Sequence, residues 1–155
     1  MHISILTLFP DMFRGPFDHS IVKRAADKKL VAIDLVNIRD FAEDRYKTVD
    51  GRPYGGGAGM ILRVDVVDRA IQSIKASLRQ RVNVKTILLD PAGTPYSQKK
   101  ARELSKLDHL ILVCGHYEGV DDRVRNVVDE EISIGDYILT GGEIPAMVVV
   151  DSVVR

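Results

Sequence analysis

HLILVCGHYEGVDDR, residues 109–123, is the stretch whose reading decides the fold. Its first half, His109 to Cys114, is nearly continuous apolar sequence, the pattern of a strand covered on both faces. Its second half breaks at once into glycine and charge, so the strand ends at Cys114 and the chain turns. A strand buried on both faces needs helices above and below it, and the chain supplies them in alternation. Ile3 to Phe9 reads as a first buried strand, stopped by Pro10-Asp11. Ser20 to Leu30 carries Ile21, Val22, Ala25, Ala26 and Leu30 on one helical face, and Val31 to Ile38 alternates as a strand. Asp65 is placed to cap a helix whose core stripe is Val67, Ala70, Ile71, Ile74 and Leu78. Val84 to Leu89 is a strand ended by Asp90-Pro91, and Ser97 caps a helix through Ala101, Leu104 and Leu107. Asp121 to Val128 reads as helix and Ile132 to Leu139 as the last strand; Pro145 suits the first turn of an apolar helix. The expected fold is α/β, a mostly parallel sheet with helices on both faces.

Composition narrows the function classes. The 155 residues suit one domain with a continuous core. With 22 Lys and Arg against 22 Asp and Glu, no domain-wide field announces nucleic acid or membrane. Arg39, Arg45, Lys47, Arg52 and Arg63 crowd one segment, which reads either as a local basic patch or as a solvated loop. Cys114 is the single cysteine, so no internal disulfide forms. No signal peptide opens the chain, no apolar run reaches membrane-spanning length, and the expected location is cytoplasmic. Asp40 to Arg63 is too long and glycine-rich for a plain connector, a mark of functional loops.

Three glycine-dense turns carry the chemistry: Tyr54 to Met60 (YGGGAGM), Cys114 to Arg123 (CGHYEGVDDR) and Ile134 to Glu143 (IGDYILTGGE). Glycines at such density let main-chain N–H and C=O groups approach a ligand, although each turn alone also fits an ordinary tight turn. The sequence lacks a phosphate-binding G-x-x-x-x-G-K-[ST] loop, and YGGGAGM fails the dinucleotide fingerprint in both pattern and placement. No zinc-ligand spacing occurs. Cys114 and His116 invite a catalytic dyad, but with no orienting third group a core cysteine at a strand end is the better reading.

RPYGGGAGM (Arg52 to Met60), CGHYEGVDDR and SIGDYILTGGE (Ser133 to Glu143), in this order, resemble the bacterial TrmD-type tRNA (guanine-N1)-methyltransferases of the SPOUT class. The resemblance runs from ILTLFP (Ile5 to Pro10) to the end of the chain. It implies a deep trefoil knot in the C-terminal half, a homodimer whose active site spans both subunits, and tRNA as the substrate. It also implies methyl transfer from S-adenosylmethionine (SAM) to N1 of the guanosine 3′ of the anticodon. By residue-wise match, SAM would lie between three walls. These are Leu88, Leu89, Asp90 and Pro91; Gly115, Tyr117, Glu118 and Gly119; and Ile134, Gly135, Asp136, Tyr137, Ile138, Leu139, Gly141, Gly142 and Pro145.

The same resemblance implies a substrate loop of Arg52, Tyr54, Gly56, Gly57, Ala58 and Gly59, with Ala58 where the family often has proline. Deprotonating guanine N1 and stabilising charge on O6 calls for a carboxylate base and a cationic partner. Arg155 matches the O6 partner, while the family's base is an aspartate on a linker beyond it. Glu118 is a second catalytic candidate facing the methionine end of SAM; equally, it caps the Asp121 helix or pairs with Arg123. A divalent metal is a family trait with no ligand set assignable here. The chain ends at Arg155 inside an apparent helix with no cap, so residues 1–155 read as the catalytic domain without linker or C-terminal tRNA-gripping domain. Two alternatives stay open: a SAM-binding dimer module inactive without its linker, and a nucleotide-binding regulatory domain.

Overall fold

The computed structural model describes residues 1–53, 55–56, 58–78 and 81–155. Its centre is a five-stranded parallel sheet in the order β2-β1-β6-β5-β7. The strands are β1 (His2–Thr7), β2 (Ala32–Asn37), β5 (Val84–Pro95), β6 (His109–Cys114) and β7 (Glu130–Ser133). A small antiparallel pair, β3 (Asp50–Gly51) and β4 (Ile61–Leu62), brackets the glycine-rich loop. Helices are α1 (Ser20–Asp27), α2 (Val64–Ser77), α3 (Gln98–Leu104) and α4 (Glu143–Val154), with 3-10 turns at Pro10–Phe13, Ile38–Phe41 and Asp122–Asn126.

Alternation along the strands sorts the core into two layers. Ile3, Ile5, Ile87, Leu89, Leu110, Leu112 and Cys114 face α1, α3 and α4. Leu6, Leu88, Ile111 and Val113 face α2 and the 3-10 turns. All six residues of β6 are buried, as a strand with layers on both sides requires. The doubly covered parallel sheet is therefore the architecture the sequence predicts. Ser97 caps α3 as expected, its hydroxyl accepting from the Lys100 amide at 3.3 Å.

Four local expectations are corrected. Asp65 does not cap α2: Arg63 is the N-cap, and the Asp65 carboxylate instead accepts from Arg63 Nε at 3.0 Å and Nη2 at 2.7 Å. β5 is not stopped by Asp90-Pro91 but runs to Pro95, with a register break because Ile132 of β7 opposes both Leu89 and Thr94. The four intervening residues loop out, the Ala92 amide bonding Asp90 Oδ1 at 2.8 Å. β7 ends at Ser133, so 134–142 is a loop rather than strand. Asp121 to Val128 forms only a 3-10 turn, capped by the Asp121 side chain.

Candidate ligand cleft

Three strand ends converge at one side of the sheet. The bulge after Leu89, the turn after Cys114 and the loop after Ser133 surround a cleft of about 370 Å³. This position, beyond the carboxyl ends of parallel strands, is where open α/β sheets bind ligands. Gly115, Gly119, Gly135, Gly141 and Gly142 all line it. A Cβ on Gly142 would stand 2.6 Å from Cys114 Cα and 2.9 Å from Gly115 N, so the turn lies directly on the strand end. The Gly142 amide also donates to Gly115 O at 2.8 Å, closing that approach. Tyr137 folds its ring across Gly135 and donates its hydroxyl to Ile134 O at 3.3 Å.

The glycine-rich loop is attached to the same site. The Glu118 amide donates to Met60 O at 3.0 Å, Leu62 N to Gly119 O at 3.0 Å, and Asp121 N to Leu62 O at 2.9 Å. The Glu118 side chain lies over Gly59, whose φ of +89° only glycine adopts readily. The Asp121 side chain caps its own 3-10 turn and pairs with Arg123: its carboxylate takes Arg123 Nε at 2.9 Å and Nη2 at 2.7 Å. The Arg123 guanidinium holds the Asp121 carboxyl below its ordinary range, outweighing partial burial. Tyr117 sits at φ +64°, with Arg39 Nη2 donating to its hydroxyl at 3.4 Å.

The charged side chains among the described lining residues are Asp90 and Glu118, with no Lys or Arg among them. Such a lining favours a ligand bearing positive charge. Cys114 is fully buried beneath the floor. Burial, and secondarily the Glu143 charge, push its thiol well above the usual range, which fits the core reading and not a nucleophile. Among the described residues no group of three or more His, Cys, Asp or Glu side chains is arranged to hold a metal. No described helix is long and apolar enough to cross a membrane.

Of the expected cofactor residues, Leu89, Asp90, Pro91, Gly115, Tyr117, Glu118, Gly119, Ile134, Gly135, Tyr137, Ile138, Leu139, Gly141, Gly142 and Pro145 line this cleft. Leu88 does not; it points into the opposite core layer. Asp136 does not line it either. Sequence reading missed Ala92 and Ser133, which flank assigned runs, and His116 and Thr140, which interrupt them. Val120 and Ile132 carried no signal beyond hydrophobicity. Arg52 borders a separate hollow with Arg63, Asp65, Asp121 and Arg123. Gly56 and Ala58 lie on the exposed loop, while Tyr54 and Gly57 fall outside the described residues. Arg155 closes the far end of α4, roughly 18 Å along the helix from the glycine turn.

A doubly covered parallel sheet with a glycine-lined cleft at its carboxyl edge places the chain among α/β proteins with a cleft where open parallel sheets bind ligands. The chain belongs to the tRNA (Guanine-1)-methyltransferase TrmD family, whose model matches residues 1–155. It is 56% identical to a tRNA (guanine-N(1)-)-methyltransferase of Dictyoglomus turgidum, over all of this chain and 61% of that protein. It is 49% identical to the Enterococcus faecalis protein of the same description, over all of this chain and 63% of that one. The chain thus spans about three-fifths of the length of the curated relatives it matches. The crystal structure of tRNA (m1G37) methyltransferase from Aquifex aeolicus superposes with a TM-score of 0.88 at 37% identity, covering all of this chain and 69% of that one.

Proposed function

We propose that residues 1–155 form the SAM-binding catalytic portion of a tRNA methyltransferase that methylates N1 of the guanosine 3′ of the anticodon. The observation that carries the reading is the cleft itself: five glycines line it, and its charged side chains among the described residues are acidic. Backbone N–H and C=O groups at fixed spacing match the donor and acceptor edge of adenine. The carboxylates of Asp90 and Glu118 suit the cationic sulfonium and ammonium groups of SAM. SAM would supply the electrophilic methyl group.

The remaining requirements fall on protein side chains. Guanine N1 must lose a proton, and O6 must be met by a donor as charge builds on it. Arg155 is the cationic partner in this reading. Because it stands at the far end of α4 from the cleft of its own chain, we assign it to the cleft of a second copy, in a homodimer. The glycine-rich loop, joined to the Glu118-Gly119 turn by the bonds from Glu118 N to Met60 O and from Leu62 N to Gly119 O, closes over the flipped guanine with Arg52 at its base. The trefoil threading implied by the resemblance belongs to the same proposal, as does tRNA as partner. No residue here is assigned as the base; the second reading is a SAM-binding module that methylates only within a longer protein.

Calorimetric titration with SAM, with ATP as control, tests the cleft. One SAM per chain and no saturable ATP heat are expected; absence of SAM binding, or preference for ATP, would overturn the assignment. Methyl-label transfer to tRNA by this chain and by an extended one then separates the two readings.

A further inference from the structure

Glu143 is a buried carboxylate that the cleft does not use. It is 2% exposed, begins α4, and lies behind the lining rather than in it. Its side-chain hydrogen bond among the described residues comes from Thr7, whose Oγ1 donates to Oε1 at 2.7 Å. Thr7 is itself fully buried at the end of β1 and accepts from the Phe9 amide at 2.9 Å, which leaves its hydroxyl proton free to point at the carboxylate. A buried carboxyl group with few hydrogen-bond partners is costly, and among the described residues this one has Thr7.

What it touches is the glycine turn. Glu143 Oε2 stands within contact distance of the point where a Cβ on Gly141 would sit. His116 Nδ1, a buried atom without a hydrogen-bond partner among the described residues, lies 2.7 Å from the same point. The imidazole is braced by Phe9 and Tyr117, with ring centroids at 4.7 and 5.1 Å. Two polar atoms therefore crowd the side of Gly141 on which a Cβ would project, while Gly142 rests on the backbone of Cys114. Move Glu143 and the turn loses its back support.

We propose that Thr7 and Glu143 are positioning residues that fix the Gly141-Gly142 turn from behind, so that the end of β1 sets the affinity of the cleft for SAM. The inference rests on the reading that this cleft takes SAM. Glu143 holds its oxygen against the turn only while the Thr7 hydroxyl anchors it, and α4 carries that constraint into the cleft.

The test is SAM affinity by calorimetry, with amide exchange over residues 140–143, on the chain carrying Thr7→Val or Thr7→Ser. Valine keeps the shape and removes the donor; SAM should bind about tenfold or more weakly, with faster exchange confined to the turn. Serine restores the donor and should return affinity to within about threefold. Should the valine chain fail to fold, Glu143→Asp, one methylene shorter, withdraws the oxygen and should weaken SAM in the same way. SAM binding by the unaltered chain together with unchanged affinity in the valine or aspartate variant would overturn the inference alone. So would equal losses in the serine and valine variants, or a lowered unfolding midpoint with unchanged affinity. Failure of the unaltered chain to bind SAM would instead overturn the functional reading.

Discussion

Two glycines of this chain do different work, and geometry separates them. At Gly142 a methyl would enter the buried end of β6, 2.6 Å from Cys114 Cα, and backbone cannot swing aside as a side-chain tip can. At Gly51 the nearest atom to an added Cβ is the flexible Arg63 Cγ at 3.5 Å, an ordinary contact. Gly142→Ala is therefore expected to cost about 1–3 kcal/mol in urea unfolding and to abolish SAM binding. Gly51→Ala should stay within about 0.5 kcal/mol of the parent. Equal effects of the two substitutions would refute the close-approach account of the turn.

Between elements, a four-membered ion network ties β5, α3 and β7. Lys100 Nζ lies 2.8 Å from Glu130 and 3.3 Å from Glu103; Lys85 Nζ lies 3.1 Å from Glu130 and 3.2 Å from Glu103. Burial pushes the Glu130 carboxyl up, but Lys100 and Lys85 outweigh it and hold the group below its ordinary range. The Glu130 bond, against partial burial, raises Lys100. The signs then follow from linkage. Glu130 stabilises the fold above the ordinary carboxylate pKa and ceases to do so as pH falls through its lowered folded value. Lys100 stabilises it below the ordinary amine pKa and ceases to do so as pH rises through its raised folded value. Solvent screening limits the contribution at neutral pH to about 1 kcal/mol. Glu130→Gln should lose that amount near pH 7 in denaturant titrations, with the gap to the parent closing in acid. A gap independent of pH would assign the loss to packing instead.

For the whole molecule, α4 is the element that joins cleft to surface. Its first turn lines the cleft through Pro145, and its inner face is buried through Ala146, Val149, Val150 and Val153. Its outer face leaves Ile144 and Val148 half exposed one turn apart, and Met12 and Ile21 are exposed on neighbouring elements. If a second copy covers that face, sedimentation should show a dimer, and the paired substitution Ile144→Glu with Val148→Glu should yield a monomer that keeps its fold. A monomeric parent chain would remove the basis for assigning Arg155 to a partner's cleft. The sequence by itself determined what short-range physics controls. The unbroken apolar run of β6 demanded cover on both faces, Ser97 capped α3 through a bond three residues away, and two of the three glycine runs marked cleft walls. It could not determine where strands stop, because that depends on partners distant in the chain. β5 continues past Pro91 only because β7 lies alongside, with Gly93 packed on the backbone of Ile132. Asp65 turned to Arg63 and Arg69 rather than to its helix end, a competition between charges that no periodicity encodes. The Thr7–Glu143 contact spans 136 residues. Such pairings exist only once the sheet has brought both ends together, so most of the cleft's residues were legible in sequence while its support was left to the tertiary structure.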